Sequence, residues 1–498
     1  MAHKPLTRSS RQFSGNQFTK FNRHSTWSKA PLDLESQATG APQRQGEMRL
    51  IIVQVGFAAA VIATSFGGMA RLTDLAFTPL AVLIGLYLFF SSSPQYMAFC
   101  MWLWMLTPFV RRVVDFGIGF QPQSFVMLAP FAVSLICIIT VFRTMQRIPV
   151  PYWLILIAVI LGFLFGLVQT ELNAVILGAL DWIAPLFLAV HILAYPDLVK
   201  SHADRIFGAM TYGTLLMGAY GALQFFYLPS WDAFWGVNAA MASLGPVEAG
   251  SIRVFSTMNS PGVLALYLMS GLTISLMYKS KVKFMSTIFG LLSFMLTMVR
   301  SAWGGFFISA SFVFVRAPLK DKLKYIVVFS FAIVASIFIF SSGELYDKFD
   351  SRFNTIFNLE NDTSYRARSN FYSDMSDVVA GMVAGEGLGR TGRASKLGGQ
   401  TDFTSFDSGV LEIMFTFGFF GVLVFIASAM ILIRTVRASA YGSYASGAAA
   451  IAIATISQLI FLNVLSGPSG VIFHVFSALA MAHAASSTSH STETIVPG

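Results

Sequence analysis

The chain has 498 residues, of which 55% are hydrophobic and only 11% are charged. This composition excludes the multi-domain soluble protein that the length alone would allow, because apolar runs long enough to cross a membrane recur from end to end. The net charge of +9 indicates no nucleic-acid partner, because the basic residues fall mostly in short loops that the positive-inside rule assigns to the cytoplasm.

Residues 1–47 form a polar segment that carries seven Lys or Arg against three acidic residues. The segment has no apolar core, so it does not resemble a signal peptide. Its composition predicts a disordered, basic cytoplasmic tail. Such a tail either anchors the topology or contacts anionic lipid headgroups.

Fourteen apolar segments follow, and each is a candidate membrane span. They predict an all-α polytopic membrane protein with about 14 transmembrane helices. About eleven spans fall within residues 48–341 and about three within 407–485. The segments are 49–67, 75–91, 94–111, 124–142, 152–169, 173–194, 206–225, 261–278, 283–299, 302–315, 325–341, 408–433, 444–464 and 468–485.

The distribution of basic residues orients these spans. With the N-terminus inside, the six short inner loops hold 13 Lys or Arg, whereas the six outer ones hold 5. Both termini, including the tail 486–498, are therefore predicted to be cytoplasmic. The five outer basic residues are Arg71, Arg111, Arg112, Arg253 and Arg300.

Residues 342–406 form one large outer loop between spans 11 and 12, with nine acidic and seven basic residues. Apolar residues at helical spacing predict an amphipathic helix that lies on the membrane or caps a cavity. Glycines 385, 387 and 389 follow, and they indicate either a flexible connector or a phosphate-binding turn. The apolar positions are Phe371, Met375, Val378, Val379 and Met382.

Cys100 and Cys137 both fall inside predicted spans, which argues against a disulfide framework. No spacing of Cys, His and Asp suggests a metal site, and we expect no cofactor. Asp181 also lies within a span, where a carboxylate needs a hydrogen-bonding partner or a wet cavity.

Several polar residues sit at the outer ends of spans, where each has a structural and a functional interpretation. Arg300, between two closely spaced spans, either reaches the headgroups or supplies a fixed cation to an outer cavity. Asn259 and Ser260 precede Pro261 and are typical of a helix start. Asp407 is either a helix N-cap or a carboxylate that accepts a proton. Glu412 lies about 140° around the helix from Asp407, so we do not pair the two.

Four pieces of sequence now stand in order: RVFSTMNSPG, LTMVRSAWGG, RARSNFYSDMSDVVAGMVAGEGLGR and FDSGVLEIMFTFGFFG. Over about residues 250 to 425, this order resembles the O-antigen ligase and polymerase family of bacterial membrane glycosyltransferases. The resemblance rests on an Arg before a span, an Arg at the end of a span, an Arg-x-x-x-Trp motif with Tyr in place of Trp, a Gly-x-Gly element and a Gly-x-x-Gly span. The corresponding residues are Arg253, Arg300, Arg368 with Tyr372, Gly385 with Gly387, and Gly418 with Gly421.

The resemblance implies a substrate, a location and a set of site residues. The substrate is an oligosaccharide on a polyprenyl (undecaprenyl) diphosphate at the outer, periplasmic face of the bacterial inner membrane. Arginines would bind the diphosphate or glycan and stabilise the leaving group, with Asp407 as the natural general base. The implied catalytic residues are Arg300, Asp407 and Arg253, and the implied substrate-binding residues are Arg366, Arg368, Arg390 and Asn259.

One departure from the family pattern favours one branch. Where the ligases carry a His, this chain has Asp407 followed by Ser408, and residues 342–406 contain no His. This favours a polymerase of O-antigen or exopolysaccharide, which joins one lipid-linked repeat to another, over a ligase that transfers glycan to lipid A-core or protein. It also leaves the identity of the general base open.

A third hypothesis is that the protein is a lipid-linked oligosaccharide flippase. Fourteen spans would suit it, but we find no internal repeat, and most charges sit at the outer rim rather than deep in the spans. Membrane lipids are expected partners. A chain-length regulator and a flippase of the same pathway are possible ones.

Overall fold

The computed structural model describes residues 41–323, 326, 383, 385–395, 406, 408–437 and 444–493. Across these residues the protein is helical throughout, with α-helices, short 3-10 turns and no strand. The chain divides between Ile52 and Val53 into two units, and every contact described below lies within the second unit.

The helices are numbered α1 to α16 in chain order. Their bounds are α1 Ala41–Phe66, α2 Ala70–Ser91, α3 Ser93–Ile118, α4 Ala129–Leu135, α5 Ile138–Thr144, α6 Val150–Gln169, α7 Leu172–Ala194, α8 Val199–Tyr227, α9 Ser230–Ala239, α10 Pro261–Met277, α11 Lys283–Leu296, α12 Arg300–Arg316, α13 Gly392–Ser395, α14 Gly409–Arg437, α15 Tyr444–Ile456 and α16 Gly467–Glu493.

Among the described residues, eight helical segments are long and apolar enough to cross a membrane, which confirms the all-helical, multi-pass class. Each coincides with a predicted span, and shorter apolar helices coincide with others. The predicted span 325–341 lies outside the described residues, as does most of the loop 342–406, so the count of fourteen stays a prediction. The eight are Gly46–Phe66, Ala70–Ser91, Ser93–Ile118, Phe125–Arg147, Val150–Gln169, Leu172–Ala194, Pro196–Tyr227 and Gly409–Arg437.

Two elements differ from the sequence prediction. Helix α8 begins at Val199, seven residues before the predicted span 206–225, because its first two turns carry polar residues that apolar counting leaves out. Helix α9, Ser230–Ala239, lies outside every predicted span and is only ten residues long. It places Asp232 against α3, where the site described below begins.

Helices pack closely wherever small residues face a neighbour. Helix α8 packs against α11, α7 against α16, and α6 against α14. A Cβ added at Gly218 of α8 would lie 2.5 Å from the backbone carbon of Phe289, and one at Gly290 would lie 2.6 Å from a methyl of Thr214. Between membrane helices, such close backbone approach supplies the packing that the apolar effect cannot.

The predicted orientation can be tested with single cysteines at two exposed loop positions. We expect Gln123→Cys to react with a membrane-impermeant maleimide added to the outside of spheroplasts, and Lys281→Cys to react only after the membrane is opened. Gln123 and Lys281 are both exposed, and the native Cys100 and Cys137 are buried and serve as an unreactive background. The reverse labelling pattern would invert the topology.

Candidate functional site

A buried arginine holds the segment between Arg253 and helix α10. Arg112, near the end of α3, is fully buried. Its Nε donates to Oδ1 of Asp232 at 2.7 Å, and its Nη1 donates to the carbonyl of Met258 and, at 3.1 Å, to Oδ1 of Asn259. Its Nη2 donates to the carbonyl of Ser256. The guanidinium therefore joins α3, α9 and the segment 256–259.

The carboxylate of Asp232 is fully hydrogen-bonded as well. Its Oδ2 accepts from the Tyr220 hydroxyl and from Nε2 of Gln224, each at 2.7 Å. Oε1 of Gln224 in turn accepts from the backbone amides of Phe255, at 3.0 Å, and Ser256, at 2.8 Å. A buried ion pair persists only when its remaining donors and acceptors are satisfied. The Arg112–Asp232 pair is connected to the segment 255–259 directly through the hydrogen bonds of Arg112 and indirectly through those of Gln224.

Arg253 lies against the turn that precedes Arg300. Its Nε donates to the carbonyl of Thr297 at 3.2 Å and its Nη2 lies 3.4 Å from the carbonyl of Met298. Arg300 is partly buried and begins α12. The structure thus brings the two predicted arginines to one turn, residues 297–299. It also shows that part of the hydrogen-bonding capacity of Arg253 is used on protein carbonyls.

Asn259 and Ser260 do not cap α10 with their side chains. Ser260 is the N-cap residue and Pro261 opens the helix, as the sequence predicted, but within the described residues the Ser260 side chain makes no capping hydrogen bond. The Asn259 side chain instead accepts a hydrogen bond from Arg112. Asn259 therefore belongs to the segment that Arg112 holds, next to the arginine turn.

Glu412 forms a polar contact that sequence reasoning missed. On the first turn of α14, its Oε1 accepts a hydrogen bond from Nδ2 of Asn463 at 3.1 Å. The carboxylate of Asp181 on α7 lies close enough to interact with it electrostatically. The signal for Glu412 was a carboxylate isolated in an apolar run, but its partner Asn463 is 51 residues away in the chain.

The segment 457–463 connects Glu412 with the helix of Arg300. A Cβ added at Gly305 of α12 would lie 2.6 Å from Nε2 of Gln458, so α12 packs directly on this segment. At its other end, Asn463 bonds Glu412, and a Cβ at Gly409 would lie 2.6 Å from the carbonyl of Leu462. Helices α12 and α14 therefore both contact the segment 457–463.

The Gly-x-Gly element packs into the bundle rather than forming a flexible connector. Glycines 385, 387 and 389 all have positive φ, which favours glycine. The amides of Glu386 and Gly387 donate to the carbonyls of Phe415 and Thr416 at 2.8 and 3.0 Å, and that of Leu388 donates to Gly162 at 2.8 Å. Amides that already donate to protein carbonyls are not directed at a phosphate, so this turn has a structural role.

A kink in α14 provides two of those carbonyls. Gly418 has φ 69° and ψ −172° inside the helix, which interrupts the regular bonding of the preceding turn. The carbonyls of Phe415 and Thr416 then accept from residues 386 and 387. Gly418, which carried part of the family resemblance, therefore serves to dock the Gly-x-Gly element.

The remaining predicted site residues fall into two groups. Arg390 forms an ion pair with Glu386, and both side chains are about a quarter exposed, at 23% and 25%. It directly follows the docked glycine turn, residues 385–389, which packs against α6 and α7. Asp407, Arg366 and Arg368 lie outside the described residues, as does the predicted amphipathic helix.

Residues 285–426 match the family model described as O-antigen ligase. The match covers less than a third of the chain, and over this segment the protein is similar to the O-antigen ligase family. Members of that family are membrane glycosyltransferases that act on lipid-linked oligosaccharides. The matched segment contains Arg300, the docked glycine turn and Glu412, whereas Arg112 and Arg253 precede it. No curated protein matches the chain.

The docked glycine turn can be tested with two glycine substitutions that share the same backbone strain. An Ala Cβ at Gly387 would clash with the backbone of Gly166, whereas one at Gly392 meets no described atom within 4 Å; both residues have positive φ. Positive φ costs both variants about 1–2 kcal/mol. Overpacking should cost Gly387→Ala about 1–3 kcal/mol more.

The measurement is thermal unfolding in detergent, with Gly392→Ala as the matched control. We expect the melting temperature of Gly387→Ala to fall clearly below that of Gly392→Ala. Equal melting temperatures would contradict the tight packing of the turn against α6.

Proposed function

We propose that this protein is a surface-polysaccharide polymerase of the bacterial inner membrane, with both termini in the cytoplasm. A hydroxyl of one lipid-linked repeat attacks the anomeric carbon of a glycan on a second polyprenyl diphosphate. The new glycosidic C–O bond forms as the bond from the anomeric carbon to the phosphate oxygen breaks. Polyprenyl diphosphate leaves with the bonding electrons, and the hydroxyl proton passes to a base.

The observation that carries this proposal is the convergence of Arg253 and Arg300 at the turn 297–299, which lies inside the matched segment. A diphosphate leaving group gains negative charge as the bond breaks, and arginine binds phosphate oxygens through a planar fork of donors. Arg300 also stands at the N-terminus of α12, where the helix dipole favours an anion. Donors fixed before the reaction stabilise this charge without reorganising.

The base in this proposal is a carboxylate at the start of α14. Asp407 is the residue that the family pattern points to, and Ser408 beside it is buried, precedes α14 and accepts a hydrogen bond from the amide of Leu411 at 3.4 Å. Glu412 is the alternative, because its carboxylate lies one turn further along and is oriented by Asn463. Either carboxylate would accept or orient the proton of the acceptor hydroxyl.

The runner-up function is a ligase that moves the glycan to lipid A-core or to protein. The description of the matched family model favours it. The same arginines would serve both reactions, so the acceptor alone separates them. The absence of a His from the sequence of residues 342–406 is the reason that we prefer the polymerase.

Purified protein in lipid vesicles, supplied with one defined lipid-linked repeat and no other acceptor, tests the proposal. We expect a ladder of longer oligomers on a gel. Transfer that occurs only when lipid A-core is added would make the protein a ligase. If folded protein produced neither oligomers nor transfer to lipid A-core, the flippase hypothesis would take precedence. Flipping of the lipid-linked repeat between leaflets would then be measured.

Arg300→Ala should lower kcat by about 10²–10³-fold, because the variant loses a fixed cation that faces the leaving group. The matched control is Arg316→Ala at the opposite end of the same helix, where the side chain donates to the carbonyl of Arg437 and stacks on Phe312. We expect Arg316→Ala to retain wild-type kcat.

Both variants are compared with the wild type at equal protein abundance in vesicles. Full activity of Arg300→Ala would remove it from the leaving-group site. Equal losses in both variants would instead indicate that α12 tolerates no substitution at its ends.

A further inference from the structure

We propose that Arg112 is a positioning residue for glycan transfer, which acts by holding the segment 253–259 so that Arg253 and Arg300 face one diphosphate. The inference rests on the proposed function. The sequence offered Arg112 only as one of five outer basic residues. The structure assigns it a fixed place between α3, α9 and this segment.

Arg112 does not contact a ligand itself, because its side chain is fully buried. Aromatic rings surround the guanidinium: its Cζ lies 4.9 Å from the ring centre of Phe255, 5.8 Å from that of Phe109 and 5.9 Å from that of Trp235. All three of its nitrogens donate to protein acceptors. Its influence on a substrate must therefore pass through the residues that it holds.

One residue of the segment that Arg112 holds, Ser256, has a strained backbone conformation. Ser256 has φ +48°, a conformation that is unfavourable for residues other than glycine and persists only where surrounding contacts enforce it. Arg112 binds the Ser256 carbonyl, Gln224 accepts from the Ser256 amide, and the Ser256 hydroxyl donates to the carbonyl of Met217 at 2.6 Å. Strain held in this way fixes the path of the chain between Arg253 and α10.

Arg253 is the residue through which Arg112 affects the reaction. It lies three residues before Ser256, and the next amide, that of Val254, donates to the carbonyl of Leu296 at 3.2 Å. Its side chain contacts the carbonyls of Thr297 and Met298, directly before Arg300. A shift of the held segment would therefore displace Arg253 relative to Arg300, and a misplacement of about 1 Å can cost about 100-fold in rate.

The choice of arginine over lysine follows from the number of acceptors. The planar guanidinium presents donors in several fixed directions, whereas a lysine ammonium is a single point of charge. Lysine at position 112 would keep a positive charge next to Asp232. It would not reach Asp232, Ser256 and Met258 together, so the segment would lose its anchoring while the buried charge stayed paired.

The first test is Arg112→Lys in the vesicle polymerisation assay. We expect folded protein, a KM for the lipid-linked repeat within about twofold of wild type, and a kcat lowered by up to about 100-fold. The matched control is Arg111→Lys, the preceding residue, whose side chain donates to Asp115 in its own helix and to the carbonyl of Gln121. Arg111→Lys should retain wild-type kcat. Wild-type kcat in folded Arg112→Lys would overturn the inference.

The second test asks whether Arg112 acts through Arg253. If it does, the double variant Arg112→Lys with Arg253→Ala should be no slower than Arg253→Ala alone. A residue that only stabilises the fold would instead give losses that multiply, and that outcome would also overturn the inference. Should Arg112→Lys not fold, Tyr220→Phe replaces it, because it removes one hydrogen bond to Asp232 and leaves both charges in place.

Hydrogen exchange separates a failure of this inference from a failure of the proposed function. If the wild type makes no ladder, the proposed function fails and kinetics cannot be used. Mass spectrometry then compares amide exchange in the peptide that covers residues 254–259. Faster exchange in Arg112→Lys than in Arg111→Lys would support the anchoring of this segment, and equal exchange would overturn it.

Discussion

The ion pair between Arg112 and Asp232 is the constraint on which the arrangement of the site depends. Two charges without contact to water are stable only when every donor and acceptor around them is used. Here Tyr220, Gln224 and the carbonyls of the segment 256–259 form the hydrogen bonds that satisfy the two charges. A connection between helices, which would ordinarily be the most mobile part of the fold, becomes one of its most tightly bound parts.

A second constraint acts on the other side of the site, and it depends on the absence of side chains rather than on charge. The turn 385–389 fits between α6, α7 and the kink of α14 because glycines occur on both surfaces: a Cβ at Gly178 would lie 2.8 Å from the amide of Gly389. The kink at Gly418 exposes carbonyls that the turn then binds. Residues 385–389 of the long loop are thereby fixed, next to the ion pair of Arg390 and Glu386.

The helical class and most span positions were predictable because each span is a continuous run of apolar residues, which the local sequence shows directly. Contacts between distant segments were not. From the sequence, Arg112 is only a topology signal, because nothing in its own neighbourhood reveals Asp232, which lies 120 residues away on a helix too short to predict as a span. The helical angle between Glu412 and Asp407 argues against pairing these two residues, whereas in the fold Glu412 accepts a hydrogen bond from Asn463. Arg253 and Arg300 were identified through resemblance, and only the fold shows that they share a turn.

The boundary of the family match has a consequence for how this chain is organised. The matched segment begins at residue 285, so Arg300 belongs to it and Arg253 does not. The contacts of Arg253 with Thr297 and Met298 cross that boundary, and the Arg112 ion pair lies wholly before it. The proposed cation site takes residues from both sides of the boundary, so it cannot form from the matched segment alone. The helices α3, α8 and α9 are therefore part of the site's construction, because they determine where the loop that carries Arg253 meets the helix that begins with Arg300.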